Sequence, residues 1–197
     1  MTDALFDPLD DAATPLEPAD RDGLLLTHIT TRGELNEAEQ LNITEAEGWA
    51  FKAKRDVLSE TFLRTLHKRM LGKVWRWAGS WSHAHDRRIG VDHWLIEPEL
   101  RALLDSVRYW IEHESFPPDE IAARFHHKLT WIHPFPNGNG RMSRMAADLL
   151  LVQLGRPRFT WGSANLVEAE ATRQRYVAAL RAADEHDIEP LLAFVRT

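Results

Sequence analysis

The stretch His133-Pro-Phe-Pro-Asn-Gly-Asn-Gly-Arg-Met-Ser-Arg144 is a short loop, rich in glycine and asparagine, that runs directly into an apolar segment. Asn-Gly is also a common hairpin turn, but a hairpin needs alternating strand residues on both sides. Here the downstream apolar residues recur at helical spacing, and Gly155 and Pro157 follow as helix stop signals. We therefore predict that His133 is followed by a tight loop and then by a buried helix.

This order of residues is typical of a site that handles phosphate. Backbone amides in a glycine-rich loop at a helix N-terminus favour a bound phosphate. The loop residues that would supply them are Gly138, Asn139 and Gly140. Arg141 and Arg144, one helical turn apart, add positive charge for phosphate oxygens. His133 has a pKa range suited to accepting a proton from an attacking hydroxyl, so we interpret the group as a nucleotide-handling active site.

The pattern H-P-F-x-x-G-N-G-R-x-x-R, from His133 to Arg144, resembles the signature of the Fic family, whose members transfer part of a nucleotide to a target hydroxyl. The segment Val74-Trp-Arg-Trp-Ala-Gly79 is similar to the family's W-x-W-A-G segment. Residues 27–37 and 155–163 resemble the Fic subfamily called mobile mystery protein B. The resemblance implies a mainly α, Fic-type helical domain with a small β-hairpin flap beside the active site.

The resemblance also implies an activity, a protein adenylyltransferase that moves AMP from ATP to a target protein or to itself. His133 would be the general base, Arg141 would grip the pyrophosphate portion and Arg144 would reach the terminal phosphate. Relatives usually carry Asp or Glu where this chain has Asn137, and that carboxylate holds Mg²⁺. An amide offers one neutral oxygen, so we expect Asn137 to be a weak ligand and Mg²⁺ to arrive largely with ATP.

Because Asn137 replaces the usual Asp or Glu, a second interpretation stays open. The chain could be a nucleotide-binding or regulatory homologue with altered chemistry. Phosphoryl transfer, use of another nucleotide, removal of AMP from a modified target, and no catalysis all belong to this alternative.

Residues 28–55 are a candidate N-terminal inhibitory helix region. Many Fic proteins carry the pattern S/T-x-x-x-E-G/N, whose glutamate pairs with the second arginine of the motif and blocks the γ-phosphate position. Thr30-Thr-Arg-Gly-Glu34 matches the first part, although Leu35 replaces the small following residue. We predict that Glu34 inhibits by pairing with Arg144, and the alternative is a solvated glutamate on an amphipathic helix.

The length of 197 residues suits one domain with one substantial core. Residues 1–24, acidic and rich in proline, are predicted to be an extended lead-in, and residues 25–197 the Fic domain. Residues 80–96 break the helical periodicity and are predicted to be the flap, which would dock the target protein by strand addition. The other predicted helices cover 33–49 (continuing towards 55), 59–72, 97–114, 119–132, 166–183 and 188–195.

The charge is unevenly spread along the chain. Residues 1–50 hold twelve acidic and two basic residues, a net −10, whereas the whole chain carries −6. This acidic segment is either a solvated tail or a competitor of nucleotide phosphates at the basic site. With this balance we expect no direct nucleic-acid binding.

The composition also bears on location and partners. The chain has no cysteine, no apolar run of membrane-spanning length and no signal-peptide pattern, so we expect a cytoplasmic protein without a membrane partner. The histidines show no zinc-binding spacing. The subfamily resemblance implies a helix-turn-helix partner protein and toxin–antitoxin behaviour, and relatives imply a homodimer.

Overall fold

A computed structural model describes residues 23–83, 89–163 and 169–197 of the chain. In these ranges seven α-helices are present, and the only β pairing is an isolated bridge between Leu24 and Trp75. The mainly α prediction is confirmed, and each predicted helix is found within a few residues of its expected ends. The helices are α1 (Arg32–Phe51), α2 (Glu60–Leu71), α3 (Ile96–Glu112), α4 (Pro118–Ile132), α5 (Asn139–Gln153), α6 (Ala169–Asp184) and α7 (Glu189–Val195).

The two helices that flank the glycine-rich loop, α4 and α5, lie in the main hydrophobic core. Pro118 stands in the first turn of α4, where its missing N–H would have no intrahelical partner. Apolar residues at helical spacing on both helices are almost completely buried. They are Phe125, Leu129 and Ile132 on α4 and Met142, Ala146 and Leu149 on α5. The loop 133–138 is therefore anchored at both ends by buried helices.

A second core joins α4 and the end of α5 to α6 and α7. It contains Ala122, Ala123, Leu151, Ala179, Leu191 and Val195. Arg196 fastens the C-terminal end by donating from Nε and Nη2 to the two carboxylate oxygens of Asp119, at 2.8 and 2.7 Å. This contact with Arg196 lowers the pKa of Asp119. The C-terminal helices are thus tied to the start of α4.

The predicted flap at 80–96 lies partly outside the described residues, because 84–88 are not among them. Its described parts, 80–83 and 89–96, contain no strand; His93–Leu95 form a 3₁₀ turn. Main-chain bonds tie both parts to the segment around His133. Ser82 N–H donates to Pro134 O at 2.8 Å, and Val91 N–H donates to Ile132 O at 3.3 Å. The flap segment therefore borders the candidate site without a described hairpin.

Most of the predicted acidic lead-in, residues 1–22, also lies outside the described residues. Leu24, the last residue of the predicted lead-in 1–24, forms a β-bridge with Trp75. Its side chain is buried, because an apolar side chain next to the core is stabilised by removal from water. No helix in the three described ranges combines the length and apolarity needed to cross a bilayer.

Candidate active site

Two residues in the left-handed backbone region bracket the glycine-rich loop. His133 caps the C-terminus of α4 with φ 53° and ψ 57°, and Gly138 caps the N-terminus of α5 with φ 76°. A β-carbon on Gly138 would lie 2.6 Å from Leu71 Cδ1, so the backbone angle favours glycine and a larger residue would displace the Leu71 side chain. A histidine with positive φ is uncommon, and such a conformation persists where the surrounding structure imposes it.

The loop is closed by the side chain of Asn139. Its Oδ1 accepts from Phe135 N–H at 2.9 Å, and its Nδ2 donates to Phe135 O at 2.8 Å. The side chain is almost completely buried. Asn139 was predicted to contribute a backbone amide, and the structure adds this second role, in which the amide group fixes the loop shape.

His67 on α2 contacts the loop through Phe135 and Asn137. The sequence interpretation did not identify this residue. Its ring stacks on Phe135 with centroids 3.7 Å apart. Gly79 N–H donates to Nδ1 at 2.9 Å, so Nε2 carries the proton and donates to Asn137 O at 2.9 Å. Burial lowers the pKa of His67 to about 4, which keeps this bonding pattern at neutral pH. Its spacing from Leu63 and Leu71 on the apolar stripe of α2 was the available signal.

The backbone amides predicted to bind phosphate lie at the N-terminus of α5, and one of them already has a partner. Gly138 N–H already donates to the Asn137 side-chain oxygen at 2.6 Å. The first helical N–H groups are those of Asn139, Gly140 and Arg141, and the N-cap provides no side-chain acceptor for them. A β-carbon on Gly140 would meet nothing within 4 Å, so the space beside this turn is open. These donors suit an anion.

Arg141, the first arginine of the motif, pairs with a residue that the sequence interpretation overlooked. Its Nη1 donates to Glu39 Oε2 at 2.5 Å, and the other carboxylate oxygen of Glu39 accepts from Trp75 Nε1 at 2.5 Å. Glu39 is 6% exposed. It lies on α1 four residues after Leu35 and four before Ile43, both buried. A charge on the buried stripe of an amphipathic helix was the signal that could have identified it.

Glu34, the predicted inhibitory residue, is not brought to Arg144. Its Oε2 accepts from the Thr30 and Thr31 N–H groups at 2.9 and 3.1 Å, and Thr31 Oγ1 accepts from Glu34 N–H at 3.3 Å. This is a capping box at the start of α1, on an exposed surface. These backbone bonds lower the pKa of Glu34. The predicted pair with Arg144 is wrong in this structure because the carboxylate caps its own helix.

Arg144, the second arginine, lies one turn further along α5. Its Nε donates to Gly140 O at 3.1 Å, and its guanidinium carbon is 5.7 Å from the centre of the Tyr176 ring. The structure therefore brings both arginines to the start of α5 and gives them different partners.

His133 is largely buried between the end of α4 and the flap segment. A β-carbon on Gly90 would lie 2.5 Å from His133 Cβ, so glycine there allows the flap segment to approach the histidine. The candidate metal ligand Asn137 has no cluster of acidic or histidine side chains beside it in the described ranges. Across the described ranges no three His, Cys, Asp or Glu side chains form a group that could hold a metal ion.

The sequence of this chain is similar to that of known proteins. A family model described as the Fic/DOC family matches residues 57–151. The chain is 33% identical over 134 residues to "Protein adenylyltransferase Fic" of Drosophila virilis, covering 66% of this chain and 26% of that protein. The protein of the same name from Aedes aegypti is 30% identical over 146 residues, 72% of this chain and 28% of the relative. The chain thus spans about a quarter of the length of these relatives.

Solved structures show the same fold. The N-terminal Fic domain of a VirB-translocated Bep effector protein from Bartonella quintana superposes with a TM-score of 0.69 at 18% identity, covering 87% of this chain and 84% of the other. The BepC protein of Bartonella tribocorum, solved with bound AMPPNP, gives a TM-score of 0.67 at 18% identity, covering 87% and 89%. The chain therefore matches the Fic/DOC family model over residues 57–151, just under half of its length, and shares its fold with solved Fic domains.

Proposed function

We propose that the protein transfers AMP from ATP to a hydroxyl side chain of a target protein. The observation that carries the proposal is the loop 133–138, which places His133 directly before a helix N-terminus with open amide donors and two arginines. Support also comes from the relatives named protein adenylyltransferase and from the nucleotide held by the BepC protein. The target would dock along 80–96, whose described ends contact the His133 segment.

In the proposed reaction, the target hydroxyl oxygen attacks the α-phosphorus of ATP. A bond forms between them, the bond from the α-phosphorus to the bridging oxygen breaks, and pyrophosphate leaves. His133 accepts the hydroxyl proton. Arg141 and the first amides of α5 stabilise the charge that develops on the phosphates, which is the larger part of catalysis in phosphoryl and nucleotidyl transfer.

The mass of the modified protein tests the proposal. The full chain is incubated with ATP and a cell lysate, and the masses of the proteins are then measured by mass spectrometry. Addition of an AMP group to a protein supports the proposal. Addition of a phosphate alone, addition from another nucleotide, loss of AMP from a modified target, or binding without transfer would each replace it with the corresponding alternative.

Asn137 is the candidate protein ligand for the Mg²⁺ that accompanies ATP. Its Oδ1 already accepts one hydrogen bond, and an amide oxygen retains a second lone pair. One neutral oxygen fits the role of a single ligand to a metal that the nucleotide itself carries. When bound, the metal would supply charge neutralisation at the phosphates.

Asn137→Asp should strengthen the dependence of nucleotide binding on Mg²⁺. An aspartate can still accept from Gly138 N–H, and it adds the negative charge that a hard cation prefers. We expect the Mg²⁺ concentration for half-maximal binding of AMP-PNP to fall about tenfold. Calorimetric titration at several Mg²⁺ concentrations measures this. Asn36→Asp, on the exposed side of α1, is the matched control; equal shifts in both variants would contradict the role of Asn137.

Glu39, and not Glu34, is the carboxylate that competes with nucleotide in this proposal, because it occupies Arg141. Glu39→Gln keeps an acceptor for Trp75 Nε1 and removes the charge that neutralises Arg141. We expect nucleotide affinity to rise about three- to tenfold, the effect of one released charge contact of about 1 kcal/mol. Glu47→Gln on the same helix, where Glu47 pairs with Arg158, is the control. Weaker binding by Glu39→Gln would show that Glu39 orients Arg141 instead of blocking it.

A further inference from the structure

Arg144 lies against an aromatic ring and not against a carboxylate. Its guanidinium carbon is 5.7 Å from the ring centre of Tyr176 on α6, within the range of a cation–π contact. In the part of the chain that the structure describes, no carboxylate oxygen lies within 4.0 Å of this guanidinium. Arg141, by contrast, is neutralised by Glu39. The two motif arginines therefore differ in how much of their charge is available to a ligand.

The Tyr176 side chain is hydrogen-bonded to α4. Its hydroxyl is 2.9 Å from Nε2 of His126, which is completely buried. Burial lowers the pKa of His126 to about 3, so this partner is neutral at physiological pH and adds no charge behind the arginine. Thr130, one turn along α4, shares a 2.9 Å hydrogen bond with Ser143 on α5. The support of the ring is thus a neutral, hydrogen-bonded contact between helices.

We propose that Tyr176 is a positioning residue that holds Arg144 in place for the terminal phosphate of the nucleotide. This rests on the proposed function, in which Arg144 reaches that phosphate. An aromatic face orients a planar guanidinium without cancelling its charge, whereas a carboxylate would orient it and neutralise it. The Nε bond to Gly140 O fixes the other side of the same side chain.

Tyr176 lies outside residues 57–151, which the family model matches. Helix α6 would therefore contribute to nucleotide choice from beyond the matched region. Because the terminal phosphate distinguishes ATP from ADP, the contribution of Tyr176 should appear as discrimination between these two nucleotides. A residue that only packs α6 against α4 would affect both nucleotides alike.

The test compares the dissociation constants of AMP-PNP and ADP by calorimetry on the full chain. Tyr176→Leu removes the ring, and we expect AMP-PNP binding to weaken about three- to tenfold while ADP binding stays near wild type. Tyr176→Phe keeps the ring, so its ratio of the two constants should remain within about twofold of wild type. Tyr109→Leu, the same change at a tyrosine that is 57% exposed on α3, is the matched control.

Equal weakening of both nucleotides by Tyr176→Leu, or no weakening at all, would overturn the inference. Loss of discrimination in Tyr176→Phe would also overturn it, and that variant preserves the packing if the leucine variant fails to fold. A wild-type protein that binds neither nucleotide would overturn the proposed function together with this inference. A wild type that binds both, with an unchanged ratio in Tyr176→Leu, would overturn this inference alone.

Discussion

His133→Asn should reduce the rate of AMP transfer by about 10²- to 10⁴-fold, which is the usual contribution of a general base. Asparagine tolerates the left-handed conformation that residue 133 adopts, so this variant removes the imidazole with little backbone strain. The loop bonds made by Asn139 do not involve the imidazole, and the phosphate donors on α5 should persist. Affinity for AMP-PNP should therefore stay near that of wild type.

The rate is measured by incorporation of label from α-labelled ATP, and the affinity by calorimetry on the same preparations. His113→Asn is the matched control, since His113 is exposed at the end of α3. Transfer by His133→Asn at the wild-type rate would exclude His133 as the base. Loss of nucleotide binding in the same variant would instead indicate that the histidine shapes the phosphate site.

Asn139→Ala should destabilise the protein by about 2–6 kcal/mol, because it removes the two hydrogen bonds that the Asn139 side chain makes with the buried N–H and C=O of Phe135, at about 1–3 kcal/mol each. This is a large fraction of the roughly 5–15 kcal/mol that stabilises a typical domain. The same change frees the loop between His133 and α5, so nucleotide affinity should fall as well.

Urea unfolding followed by far-UV circular dichroism measures the stability change, and calorimetry measures the affinity. Asn36→Ala, the same substitution at an exposed position of α1, should change the free energy of unfolding by less than about 0.5 kcal/mol. An Asn139→Ala protein as stable as this control would show that water or a rearranged loop replaces both hydrogen bonds.

The helices and the loop could be predicted from the sequence because their signals are local. The spacing of apolar residues defined α2 to α5, and the run from His133 to Arg144 identified the loop and its arginines. Gly138 illustrates why such a prediction succeeds, since its positive backbone angle φ favours glycine at this position. The amide donors and the arginines then follow from the start of α5.

The partners of these residues could not be predicted, because they depend on how the helices pack. Glu34 and Glu39 both lie on α1, and only the rotation of that helix against α5 decides which carboxylate reaches an arginine. The motif pattern favoured Glu34, and the four-residue spacing of Glu39 from Leu35 and Ile43 gains its meaning only once these two residues are seen to be buried. The role of His67 also depends on helix packing, because its stacking on Phe135 joins residues that are far apart in the sequence.

The second core, between α4, α5 and the C-terminal helices, sets a limit on truncation. A fragment cut at residue 151, where the family match ends, would lose α6 and α7 and uncover the apolar face formed by Ala122, Ala123 and Leu151. It would also leave Asp119 without Arg196. We therefore expect the cooperative folding unit to be larger than the matched region and to include the final helix, α7.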